Sequence, residues 1–247
     1  MARSRPQIPG LAVAASSPVP AGGAQAIAGR GQMGRSVYES IRSAILECTF
    51  LPGMALSEQA VSDELQVSRA PVREAFRQLS VEGLLESVPQ RGSFVALLSR
   101  AKVADAIFVR EMIECRAAEL AAQAPLARRR GLAKFVRDQV SASARQDYAS
   151  HLASDEAFHH QILVLAGHPH AWPALRLART GMNRIRHLAI PELGSHRIAI
   201  DHHRLIVQAI VAGDAPGASS AMRLHIQSPL VFLEAIRARC PQYFGPD

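Results

Sequence analysis

Four side chains in the second half of the sequence are of types that together hold a metal ion. Asp155 and His159 stand four apart in SDEAFHHQIL, so a helix puts both on one face, while His203 in DHHRLIVQAI and His225 in AMRLHIQ fall in the last two apolar-periodic segments. One carboxylate oxygen and three imidazole nitrogens suit a divalent ion such as Zn, Ni, Co, Mn or Fe(II), and four protein ligands leave positions open on an octahedral ion. A single histidine is more often a core or surface residue than a ligand, and the chain has ten, so the inference rests on the set. His160 and His202 adjoin two of the four, and the sequence leaves open a register in which either replaces its neighbour. For one ion to meet all four, their helices must converge in a bundle interior, where an ionised Asp155 is costly without a cation. Arg110, one helical turn before Glu114, has two readings of equal weight: a salt bridge along its own helix, or a bidentate hold on a bound carboxylate.

A second set is cationic. In VSRAPVREAFRQLSVEGLLESVPQRG, residues 67–92, Ser68 is a suitable N-cap, and Val72, Ala75, Phe76 and Leu79 repeat with helical spacing. Arg69, Arg73 and Arg77 line up beside that apolar stripe. Two short runs, Leu84 to Val88 and Ser93 to Leu97, flank a Pro-Gln-Arg-Gly turn and predict a β-hairpin carrying Arg91 and Gly92. A helix of this kind fits the major groove of double-stranded DNA, and the hairpin reaches the adjacent backbone. Arg77 is the weakest member, lying furthest along the helix beside Glu74 and Glu82.

Stepping outward, residues 1–33 are Ala, Gly, Pro, Ser and Arg with few large apolar side chains, the composition of a disordered tail. Helical periodicity predicts a first helix over 36–48, a short second helix capped by Ser57, and the Arg-faced helix, with Ile41, Ile45, Leu56, Val61, Leu65, Val72, Phe76 and Leu79 as core. Beyond a short joint at 99–102, six helices are expected at 101–124, 128–147, 149–166, 171–190, 196–213 and 215–238, forming an antiparallel bundle. The expected architecture is mainly α: a tail at 1–33, a winged helix-turn-helix at 34–98 and an all-helical domain at 99–240.

The net charge of +7 suggests nucleic acid, but its distribution does not place it on the DNA module. Residues 34–98 carry six arginines against eight acids, so the DNA reading depends on where the arginines sit. Three cysteines without CxxC spacing indicate neither a disulfide framework nor a zinc ribbon and fit a reducing cytoplasm. No apolar run spans a membrane, and the Ala-rich stretch 11–29 is broken by Pro18 and Pro20.

The string PGMALSEQAVSDELQVSRAPVREAFRQLSVEGLLESVPQRGSFV, residues 52–95, resembles the winged helix-turn-helix of GntR-family bacterial transcription regulators. The second half is similar to the FCD ligand-binding domain of the FadR subfamily, matching at Arg110/Glu114, Asp155/His159, His203, Gly213-Asp214 and Met222/His225. Six helices rather than seven would place it with the VanR-like branch. The resemblance implies a homodimer that binds a palindromic operator, a phosphate contact for Arg42, a divalent ion on the Asp/His set, and a small carboxylate effector near Arg110. The expected function is a transcription regulator of repressor type. A metal-dependent hydrolase or oxygenase joined to a DNA-binding module is the competing reading, and it lacks a visible general acid or base.

Overall fold

The structure, a computed structural model, describes residues 23–246; side chains are described from Gly34 onward, except at 181 and 191–193. The described residues divide into two compact units, the first built from 23–98 together with Gln242–Gly245, the second from Ser99–Pro241 with Pro246.

The first unit holds α1 (Gly23–Leu46), β1 (Ala55–Leu56), α2 (Glu58–Leu65), α3 (Arg69–Val81), β2 (Leu85–Val88) and β3 (Gly92–Val95). Of the expected tail, residues 1–22 lie outside the described residues, whereas residues 23–33 form the first part of α1. The helix therefore starts earlier than Ser36: once residues 36–46 are docked, extending the helix toward the N-terminus needs no new nucleus, and 23–33 contain no proline to stop it. All eight expected core residues are buried in one cluster, joined by Val37, Phe50, Leu84 and Val95. Ser57 caps α2 by accepting from the Ala60 amide. Ser68 occupies the N-cap position of α3 with extended backbone, but its hydroxyl makes no capping bond. The hairpin is joined by a third strand that periodicity could not reveal, since β1 has only two residues: the antiparallel order is β1-β3-β2, with Ala55 opposite Phe94 and Val88 opposite Gly92. Gln90 and Gly92 at the tip have φ of 61° and 102°; open space surrounds Gly92, so its backbone angle rather than crowding calls for glycine.

The second unit is all-helical: α4 (Arg100–Arg110), a π turn (Glu111–Cys115) and α5 (Arg116–Ala122) run as one helix, followed by the short α6 (Leu126–Arg129), α7 (Ala133–Ala144), α8 (Tyr148–Leu165), α9 (Trp172–Leu193), α10 (Ser195–Ala212), α11 (Ala215–Gln227) and α12 (Pro229–Arg239). The six-helix expectation needs correction, because the single segment 215–238 is two helices. Pro229 has no N–H for the His225 carbonyl one turn back; Ser228 Oγ donates to that carbonyl instead, at 2.8 Å, and the axis breaks there. The count on which the VanR-like placement rested is thus not six.

α5 lies against α8, α10 and α11. Its inward residues Ala117, Ala118, Ala121 and Ala122 are almost fully buried, and their small side chains let three neighbouring helices approach one axis. α10 and α11 form a tight antiparallel hairpin. Gly213, with φ 81°, ends α10 in the left-handed conformation, and Asp214 starts α11 by accepting from the Gly217 amide at 2.9 Å. That turn holds His203 and His225 side by side. Among the described residues no helix is long and apolar enough to cross a membrane.

Candidate metal centre and nucleic-acid interface

On α8, His151, Asp155, Phe158, His159 and Ile162 share the buried face. A polar residue survives there only when its hydrogen-bonding groups find partners or a ligand. Asp155, His159, His203 and His225 each offer one ligand atom, and the four atoms lie within 4.8 Å of one another. Asp155 Oδ1 is 3.6 Å from His203 Nε2 and 3.9 Å from His159 Nε2, and the Nε2 atoms of His203 and His225 are 3.4 Å apart. The neighbouring histidines left open by the sequence are not in the ligand group: His160 packs on Trp172, and the His202 ring stands edge-on to that of His225 with centroids 6.2 Å apart.

The rings are oriented from behind. Glu114, in the π turn, accepts from His159 Nδ1, and Gln139 Oε1 on α7 is 2.7 Å from His203 Nδ1. A carboxylate only accepts, so His159 Nδ1 holds the proton and its Nε2 faces the cluster with a lone pair. The same reasoning applies to His203 opposite the Gln139 carbonyl oxygen. Burial, first, and then nearby cations push His159 down; burial pushes His203 and His225 far down, and all three imidazoles are neutral near pH 7. The Nε2 lone pairs of His159 and His203 therefore face the ionised Asp155, and His159 Nε2 has no hydrogen-bond donor. A cation resolves that arrangement, so the residues fit a divalent ion.

Asp155 itself is not short of positive charge. Burial alone would raise its pKa, but Arg186 and then Arg179, both from α9, outweigh burial and hold it well below the usual carboxylate range. Arg186 spans both carboxylate oxygens at 2.6 and 2.7 Å, and Arg179 Nη2 lies 2.5 Å from Oδ2. Asp155 therefore needs no metal to compensate its charge, contrary to the expectation from sequence: two arginines already do so, and an ion is called for by the imidazoles. Arg110 makes the expected salt bridge along its own helix. Its Nε donates to Glu114 at 2.6 Å, while Nη2 is buried without a hydrogen-bond partner and the residue lines a small cavity beside His225. Arg179, Arg186 and Gln139 escaped sequence reasoning. The signal was present only as the seven-residue spacing of the two arginines on one face of α9.

In the first unit, Arg69, Arg73 and Arg77 expose 54%, 67% and 66% of their side chains. Arg69 and Arg73 both reach Glu58 at the start of α2, at 3.5 and 3.3 Å. Arg77 forms two bonds with Glu74, whose pKa its hydrogen bond lowers to about 2. Arg91, on the wing, sits 5.7 Å over the Phe94 ring, and a groove of about 460 Å³ runs between Arg91, Gly92, Arg69 and the first turn of α2. Arg42 is buried, and its Nε donates to Glu82 at 2.9 Å in a cluster with Tyr38.

Comparison with known proteins accounts for both units. Residues 34–95 match the family described as bacterial regulatory proteins, gntR family, and residues 105–228 match the FCD domain. An HTH-type transcriptional regulator from an unstable DNA locus of Streptomyces ambofaciens is 34% identical over 86% of this chain and 90% of its own. The transcriptional repressor RspR of Escherichia coli K12 is 29% identical over 86% of this chain and 94% of its own, and a probable D-xylose utilization operon repressor of Paenarthrobacter nicotinovorans is 30% identical over 72% and 78%. Among solved structures, a GntR regulator from Rhodococcus sp. RHA1 shares the fold with a TM-score of 0.71 at 24% identity, covering 83% of this chain and 99% of that one. Family and relatives alike are regulators rather than enzymes, which sets aside the hydrolase or oxygenase reading. A helix-turn-helix with an arginine-faced third helix and a β wing, followed by an all-helical domain with a buried Asp/His cluster, places this chain in the gntR family of bacterial regulatory proteins, as a DNA-binding transcription regulator with an FCD domain.

Proposed function

We propose that the chain is a cytoplasmic, FadR-subfamily regulator, of repressor type, that binds a palindromic operator as a homodimer and responds to a small carboxylate through a divalent ion. The ion is held by Asp155, His159, His203 and His225. The observation that carries this reading is the convergence of three buried imidazoles and one carboxylate oxygen, with the Nε2 atoms of His159 and His203 turned toward Asp155 and no proton on either. Charge supports the effector class. Arg110, Arg179 and Arg186 already exceed Glu114 and Asp155 by one positive charge, so a divalent ion leaves the pocket strongly cationic. The ion would supply a Lewis-acid point for one carboxylate oxygen, and Arg110 Nη2 a donor for the other. At the operator, Arg69 and Arg73 exchange Glu58 for DNA, and Arg91 with Gly92 follows the backbone; Ser68 offers its uncapped hydroxyl at the same edge, and Arg77 contributes only after leaving Glu74. Arg42 acts by supporting α1 against Glu82 rather than by meeting phosphate.

Elemental analysis of gently purified protein tests the site: about one divalent ion per chain is expected, with chelator lowering the melting temperature of the second unit by mass action. His225→Ala should lose the ion and the chelator effect together. Protein that carries no ion, and melts identically with and without chelator, overturns the proposal.

A further inference from the structure

The proposed ligand atoms are sealed from water: Asp155 and His203 are fully buried, and His159 and His225 nearly so. An ion or effector reaches them only through protein. Next to His225 lies the cavity that Arg110 lines, about 20 Å³, room for about one water, with His151, Arg186 and His196 also on its wall. On the outside, between the α7–α8 turn and α10, an open groove of about 660 Å³ is lined by Arg145, Tyr148, Arg197 and Arg204, and by His196 again. Among the described residues His196 alone borders both. The residue is 7% exposed, and its ring packs on both Tyr148 and His151, with ring centroids 5.4 and 5.9 Å away. Its Nδ1 is buried without a hydrogen-bond partner, so turning the ring breaks no polar bond at that atom. It belongs to the first turn of α10, directly after Gly194, whose φ of 62° marks the chain reversal into that helix.

Resting on the metal and carboxylate reading above, we propose that His196 is the gate of the site: rotation of its imidazole joins the outer groove to the inner cavity and admits ion and effector. The groove carries three arginines against one acid, Asp201, which pairs with Arg204 at 2.7 Å, and the remaining positive charge draws anions to its mouth. The gate acts by bulk, and this separates it from a ligand or a structural hydrogen bond.

The experiment loads the full chain with Co²⁺ and follows its loss to excess EDTA by visible absorption. His196→Ala should speed loss about tenfold while leaving equilibrium affinity within about twofold, because a gate changes both rates alike. His196→Leu, which keeps the bulk and removes the nitrogens, should match wild type. Equal rates in all three, or affinity that falls in step with faster loss, overturn the gate. Should wild type take up no Co²⁺, the metal reading fails by itself, and the gate is then decided in the ion-free chain by acylation of His151 with diethyl pyrocarbonate, read by mass spectrometry. His196→Ala should accelerate that reaction about tenfold, and an unchanged rate overturns the proposal.

Discussion

On α3, Arg69, Arg73 and Arg77 keep more than half of their side-chain surface in water and lean on carboxylates of Glu58 and Glu74. On α4 and α9, Arg110 and Arg179 keep almost none, Arg186 little, and their partners Glu114 and Asp155 are equally buried. The residue type is the same, and the solvent makes the difference. An exposed guanidinium in high dielectric gains little from its carboxylate and can trade it for phosphate or a base edge. A buried one has no water to fall back on, so its pairing with an acid is compulsory and shapes the interior. The first set is thereby suited to reversible binding of a large anion, and the second to holding a pocket in one charge state.

The largest expected effect of this contrast appears with pH. All ten histidines lie in the second unit and none in residues 34–98. His159, His203 and His225 have folded-state pKa values below the unfolded value, so they favour the fold above about pH 6.5 and that contribution drains away as pH falls toward the folded values. Each imidazole that stays neutral in the folded chain costs about 1.4 kcal/mol per pH unit in that range. In chelator, between pH 7 and 5, the second unit should lose stability steeply while the first changes little; unfolding followed by circular dichroism would break the comparison if both units declined together.

Next in size is Asp155→Asn. It leaves Arg179 and Arg186 buried without their main anion, and an expected loss of about 3–5 kcal/mol follows in the second unit, read by urea unfolding of the full chain. A loss below about 1 kcal/mol, the range of exposed pairs, would place these arginines energetically with those on α3. The smallest effects belong to the exposed set. Arg73→Ala should weaken operator binding by about 1–3 kcal/mol with little change in melting temperature. Glu58→Gln, which frees Arg69 and Arg73, should strengthen it by less than about 1 kcal/mol, measurable by fluorescence anisotropy at fixed salt. Weaker binding by Glu58→Gln would show that Glu58 orients the arginines for DNA instead of competing for them.

Much of this molecule was legible in the sequence because it is written in local periodicity. The apolar spacing of Val72, Ala75, Phe76 and Leu79 is enough to bury one face of α3 and leave its arginines outside, and Gly213-Asp214 is enough to end one helix and begin the next. The four residues of the Asp/His cluster were nameable for the same reason. What tertiary structure alone decided lies in contacts between segments far apart in the chain. β1 has two residues and exists only because β3 accepts it. Arg42 reads as a free cation on helix one until Glu82, forty positions on, is packed against it. Whether His159 or His160, and His203 or His202, faces the cluster depends on the rotation of α8 and α10 about their axes, which the alanines of α5 and the partners Glu114 and Gln139 settle. Most consequential are Arg179 and Arg186, since a one-dimensional pattern shows that a helix carries two arginines a heptad apart but not that both turn inward onto one aspartate. Charge in a protein interior is balanced in space, at ångström range, and sequence order holds no record of that distance.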